Sequence, residues 1–175
     1  GDIGRIEYCF PPEMSSAHCE IQFYTSRSCP IHCNFCVTGN MYYVRPNWRE
    51  RDPADIVAEI AFLKQKYPQM EGCFFDEEIH NIGKKFILNL TRAIRSAGLD
   101  TLHYNAMCGL WTMDREMLES MKSAGYYFCR VGIETGSEAI AKGMNLGPKF
   151  NPKKMWQVLR DAKDVGITMY GTFSM

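Results

Sequence analysis

Two adjoining stretches decide the reading: Glu20-Ile21-Gln22-Phe23-Tyr24-Thr25, and directly after it Arg27-Ser28-Cys29-Pro30-Ile31-His32-Cys33-Asn34-Phe35-Cys36. The first alternates polar and apolar side chains and reads as a β-strand. The second places three cysteines in eight residues with the spacing Cys-x3-Cys-x2-Cys. A single compact loop of that kind can aim three thiolates at one cuboidal iron–sulfur cluster, since such clusters are held by cysteine thiolates. The loop carries no fourth cysteine, which leaves one iron open to a ligand, by the logic that separates catalytic zinc sites from structural ones.

Working outward from the cysteines, strand and helix alternate to the end of the chain. A loop runs from Ser26 to about Arg51 and contains Gly39 and the aromatic and basic stretch Tyr42-Tyr43-Val44-Arg45-Pro46. Asp52-Pro53 starts a helix, with Asp as cap and Pro where no N–H is needed. Ile56, Val57, Ile60 and Leu63 recur at helical spacing, and Pro68 ends the segment. Residues 72–76 read as a short buried strand running into the acids Asp76, Glu77 and Glu78. The pattern then predicts a helix over 84–96, a strand over 102–106, a helix capped by Asp114 and closed by Gly125, and a strand over 127–133. A helix over 152–165, ended by Gly166, and a strand over 167–173 complete the series.

Strands each followed by a helix make parallel βα units, which curl with one hand. The expected fold class is therefore α/β, a partial (βα) TIM-type barrel with parallel strands, truncated after about five units; a closed barrel takes about 250 residues. Residues 1–19, with Pro11-Pro12, read as a lead-in or linker, and 20–175 as one core domain, incomplete at its C-terminal side. An uncovered fifth strand presents an open edge, from which oligomerisation or poor solubility is expected. The cysteine loop follows the first strand, at the ligand-binding end of such sheets.

Composition narrows the function. Twenty basic and twenty acidic residues cancel, so there is no general attraction to nucleic acid. No apolar run is long enough for a membrane span, and the start Gly1-Asp2-Ile3-Gly4 has no signal-peptide character. Eight cysteines, three of them clustered in a βα chain, fit a cytoplasmic cluster-binding protein better than a secreted disulfide scaffold. Cys73, Cys108 and Cys129 lie in or beside strands and read as small core residues. Cys9 and Cys19 have no near partners for a second cluster. His80 and His103 read as structural, and Arg45, Arg49 and Arg51 as a solvated basic face. Two alternatives stay open on the residues alone. One is a zinc site with His32 as fourth ligand, although its neighbour Cys33 makes that geometry awkward. The other is a cluster module for electron transfer or scaffolding.

Cys-x3-Cys-x2-Cys after the first strand of a βα barrel, with the aromatic Phe35 just before the last cysteine, resembles the radical S-adenosylmethionine (SAM) signature. The likeness runs from about Glu20 to Met175 and is closest to the branch fused to a cobalamin-binding domain. Three stretches carry it: 43–46 with 55–60; Phe74-Phe75-Asp76-Glu77-Glu78; and Lys122-Ser123-Ala124-Gly125 with 131–137. The resemblance implies a 4Fe-4S cluster on Cys29, Cys33 and Cys36. It implies that SAM bound to the open iron is reductively cleaved to a 5′-deoxyadenosyl radical, which acts on a small-molecule or peptide substrate. It implies cobalamin from a domain outside this chain, methyltransferase or cyclase chemistry, and an external electron donor such as flavodoxin or ferredoxin. Phe35 would lie near the adenine. Asp76, Glu77 and Glu78 stand where many members carry Gly-Gly-Glu, so an acid among them would take the SAM amino group. Glu134 would accept from the ribose hydroxyls, Gly132 and Gly136 would let backbone approach the cofactor, and Tyr170, Gly171 and Thr172 would flank the adenine.

Overall fold

The structure is a computed structural model that describes residues 18–38 and 48–174. The lead-in with Pro11-Pro12 and Cys9, Gly39, and the stretch Tyr42 to Pro46 with Arg45 lie outside the described residues. Five strands form one parallel sheet in the order β1 (Glu20–Phe23), β4 (Gly72–Phe75), β5 (His103–Cys108), β6 (Tyr126–Glu134) and β7 (Thr168–Phe173). Among the described residues the sheet is open, with β1 and β7 at its edges. Strands adjacent in the sheet follow one another through helices α1 (Pro53–Lys66), α2 (Lys84–Ser96), α3 (Arg115–Ser123) and α5 (Pro152–Val165). This is the partial parallel α/β barrel that the alternation predicts.

Local signals account for these helices. Asp52 accepts from the Ala54 N–H at 2.8 Å and Pro53 opens α1. Asp114 accepts from the Met117 N–H at 2.9 Å and so caps α3. Gly166 adopts a left-handed φ of 82° after α5, where a side chain would be strained. Ile56 and Ile60 of α1, Phe86, Ile87, Leu90 and Ile94 of α2, and Met117, Leu118 and Met121 of α3 are buried against one face of the sheet. That face supplies the register row Phe23, Phe75, Ala106 and Cys129. Cys73, Cys108 and Cys129 are buried there as core residues.

The opposite face is polar. Asn105 donates to Glu20 at 2.6 Å, and the Tyr127 hydroxyl donates to the second Glu20 oxygen at 2.8 Å. Arg130 donates to the Asn105 side-chain Oδ1, and its guanidinium lies 4.3 Å from the Phe74 ring centroid. Glu20, Asn105 and Arg130 are all buried. Buried charge persists only when it is paired and hydrogen-bonded, which this chain of contacts provides.

Several short elements have no counterpart in the sequence reading. The loop after β1 contains a two-residue strand β2 (Ser26–Arg27), paired antiparallel with β3 (Arg49–Glu50). A short helix α4 (Glu138–Gly143), capped by Ser137, and a 3-10 turn (Gly147–Lys149) follow β6. Six residues are too few to show helical periodicity, so tertiary contacts decide α4.

Candidate cofactor site

The cysteine loop leaves the C-terminal end of β1, beside β4. Its start is tied down by consecutive acids of one turn. Glu77 accepts from the Thr25 N–H at 3.3 Å and from the Thr25 hydroxyl. Glu78 accepts from the Ser28 N–H at 3.0 Å. Its far side is held by the end of α4. Asn34 donates from its backbone N–H to the Met144 carbonyl at 3.0 Å and from its side chain to the Gly143 carbonyl at 2.9 Å. Asn145 donates to the His32 carbonyl at 2.6 Å. Cys33, Ala141 and Leu146 form a small apolar cluster, with Ile31, Cys36, Met144 and Phe150 packed on it.

Cys29, Cys33 and Cys36 carry no disulfide. Burial pushes the Cys29 and Cys33 thiols up, opposed by the nearby Lys149 ammonium. Among the described residues no three His, Cys, Asp or Glu side chains gather closely enough to hold one metal ion. A cuboidal cluster is held by cysteine thiolates, each on its own iron. The donor set therefore fits a cluster: three thiols on one loop, partly buried and close to a cation.

Glu134 ends β6 at φ 66°, a left-handed conformation that costs a non-glycine residue about 1–2 kcal/mol. Its carboxylate accepts from Lys149 Nζ at 3.1 Å and from the Ser174 hydroxyl at 2.9 Å. Gly132 makes room for it: a Cβ there would lie 2.4 Å from Glu134 Oε1. Lys149 Nζ is also 4.0 Å from Cys33 Sγ, so one ammonium joins the cysteine loop to the end of β6. Among the described residues the non-glycine residues with positive φ are Ser28, Glu134 and Asn145. Ser28 precedes Cys29, Asn145 anchors His32, and Glu134 faces Lys149. Backbone strain thus collects on this site, as it does at functional sites.

The three acids after β4 part company. Asp76 remains partly exposed, and burial pushes its carboxyl up while Arg130 draws it down. Glu78 holds the loop. Glu77 departs from the expectation that it faces a cofactor: it is 2% exposed and turned into the core. His80 Nδ1 lies 2.6 Å from Glu77 Oε1, and His80 Nε2 lies 2.8 Å from the Tyr126 hydroxyl. An imidazole protonated at Nδ1 satisfies both contacts, donating to Glu77 and accepting from Tyr126. His80 is the structural residue its sequence context suggests. Phe35 is half exposed on the loop. Tyr170 is in register with Arg130 and stacked on Phe128. Arg49 and Arg51 line a separate cavity of about 450 Å³ beside α1, where Arg51 pairs with Glu59 at 2.7 Å. His103 stacks on His18 at 3.6 Å, and burial, with His18, draws its imidazole down. Sequence reading missed Lys149 and Asn145, whose partners are distant in the chain and leave no local pattern.

The radical SAM superfamily profile matches residues 23–175. The chain belongs to the radical SAM superfamily. Membership implies a 4Fe-4S cluster and SAM as cofactors, and places the chain among enzymes. It is 30% identical over 152 residues to a cytidylyl-2-hydroxyethylphosphonate methyltransferase of Streptomyces wedmorensis, covering 87% of this chain and 28% of that protein. Its fold matches the radical SAM methyltransferase TsrM from Kitasatospora setae, solved with cobalamin and a [4Fe-4S] cluster bound. The TM-score is 0.75 at 17% identity, over 88% of this chain and 30% of that one. The cobalamin-dependent radical SAM enzyme OxsB matches at TM-score 0.73 and 16% identity, over 87% of this chain and 23% of that one. The radical SAM chain thus spans about a third or less of these relatives. Among the described residues no helix is long and apolar enough to cross a membrane.

Proposed function

We propose that residues 20–175 are the cluster- and SAM-binding core of a cobalamin-dependent radical SAM methyltransferase. The observation that carries it is the joining of the cysteine loop to the end of β6, through Lys149 between Cys33 and Glu134, with Asp76 at the end of β4. When bound, the cluster supplies one electron to the sulfonium of SAM and with it radical chemistry. Cys29, Cys33 and Cys36 hold one iron each. Asp76 accepts from the SAM amino group, a role for which its partial exposure suits it and which buried Glu77 leaves to it. Glu134 accepts from the ribose diol, since one carboxylate can take both hydroxyls, and Gly132 keeps its approach clear. Phe35 packs on the adenine, and Tyr170 lines the polar sheet face below it. The protein's part is position and exclusion of water. Methyl transfer and the use of cobalamin rest on the names of the Streptomyces and Kitasatospora relatives and of OxsB. Cobalamin would come from another domain, and the electron from a flavodoxin or ferredoxin. A cytoplasmic setting would keep the three thiols reduced.

The test is anaerobic reconstitution of the full-length protein with iron and sulfide, followed by reduction and addition of SAM. A brown protein whose reduced-cluster EPR signal changes with SAM, and which forms 5′-deoxyadenosine or S-adenosylhomocysteine, supports the reading. Colourless, iron-free protein refutes it. A cluster indifferent to SAM favours the electron-transfer module instead.

A further inference from the structure

Lys149 belongs to no stretch that carries the family resemblance, yet the fold places it with care. Leu146, three residues earlier, is buried against Cys33, and Asn145 is bonded to His32, so the 3-10 turn Gly147–Lys149 is fastened to the cysteine loop itself. The Lys149 side chain is only 12% exposed. Its ammonium is 3.1 Å from Glu134 Oε1, 4.0 Å from Cys33 Sγ and 5.9 Å from the Trp111 ring centroid. Trp111 is itself laid against Gly109, where any Cβ would meet its ring at 2.1 Å. A cation is thus packed beside a ligating sulfur, with one carboxylate on its other side.

The geometry points to Lys149 as the residue that tunes the reduction potential of the cluster, a role that rests on the cofactor reading above. Reduction adds one electron, and therefore one negative charge, to the cluster. No bond to the protein forms or breaks. A fixed cation beside a ligating sulfur stabilises the reduced form more than the oxidised form, and burial strengthens the effect by lowering the local dielectric. Cluster potentials respond to net charge, to hydrogen bonds on the sulfurs and to exposure, and Lys149 supplies the first two. Glu134 opposes it by pairing with the same ammonium. The two residues therefore have opposite effects: Lys149 eases reduction and Glu134 resists it.

The experiment is a dye-mediated redox titration of the anaerobically reconstituted full-length protein, without SAM, read by the EPR signal of the reduced cluster. Lys149→Met is expected to shift the midpoint to more negative potential, and Lys149→Arg to stay near wild type. Glu134→Gln is expected to shift it to more positive potential. Lys142→Met is the control: it removes the same charge from an exposed position on α4, where solvent and salt screen it. A Lys149→Met midpoint equal to that of Lys142→Met overturns the proposal, as does a negative shift in Glu134→Gln. Should Lys149→Met fail to retain its cluster, Glu134→Gln and Lys149→Arg decide the matter, and an unmoved Glu134→Gln midpoint overturns it. Wild-type protein that takes up no iron sinks the cofactor reading, a result separate from any difference among the variants.

Discussion

Replacing Glu77 by alanine tests whether the acids after β4 divide their work as the geometry implies. The Glu77 carboxyl group takes the Thr25 N–H, the Thr25 hydroxyl and the His80 ring, all inside the core. Alanine strands the Thr25 N–H where water does not reach, at about 1–3 kcal/mol, while the Thr25 hydroxyl and His80 Nδ1, 3.0 Å apart, are left to each other. The hydrogen bonds lost with the carboxylate add to this, for a total of about 2–4 kcal/mol. A domain holds about 5–15 kcal/mol in all, so Glu77→Ala should give up a sizeable share of it. Glu78→Ala is the comparison. The Glu78 carboxylate is partly exposed where Glu77 is buried, so a water can take its place on the Ser28 N–H, at about 0.5–1.5 kcal/mol. Urea unfolding followed by far-UV circular dichroism reads both, with the slope checked for constancy. A Glu77→Ala loss below about 1 kcal/mol, or a Glu78→Ala loss as large as that of Glu77→Ala, refutes the assignment of Glu77 to the core.

Gly125→Ala should cost about 2–5 kcal/mol, because φ is 96° and the new Cβ would lie 2.3 Å from the Leu102 carbonyl oxygen. Gly98→Ala, with φ 66° and open space around it, should cost only about 1–2 kcal/mol, and thermal unfolding compares the two. Burial pushes the Asp114 carboxyl up, but the Lys84 ammonium and the Met117 N–H outweigh it and hold it below its ordinary value. A depressed acid stabilises the fold above its unfolded pKa, about 3.9, and loses that contribution as pH falls through the folded value. Asp114→Asn should therefore cost under about 1 kcal/mol at neutral pH, the pair being half exposed, and still less below about pH 3, as read by urea titration at both pH values. Cys29→Ala, Cys33→Ala and Cys36→Ala should each lose most of the iron bound on reconstitution, while Cys73→Ala keeps it. Iron and sulfide analysis checks this, and retention of iron by all three loop variants would contradict the loop as ligand.

Several parts of the protein are legible from neighbours in the chain. The caps Asp52 and Asp114, the proline starts at 53 and 152, and the turn at Gly166 act within one helical turn, so they can be read without a structure. Strand–helix alternation fixes a parallel sheet through the handedness of its crossovers. The cysteine spacing is local too, and it points to a cluster before any coordinates exist. Other features depend on separations that no local pattern spans. Asp76, Glu77 and Glu78 are equal as letters. The turn after Phe75 alone decides that Glu77 goes inward to Thr25 and His80 while Asp76 stays partly exposed. Lys149 finds Cys33 across 116 positions, and Asn105 finds Glu20 across 85. The amino-acid order alone determined the parallel architecture and the place of the thiols, because both follow from short-range periodicity and spacing. Only the tertiary structure decided which carboxylate is buried and which cation sits beside the thiols, because burial and charge pairing depend on where distant segments meet.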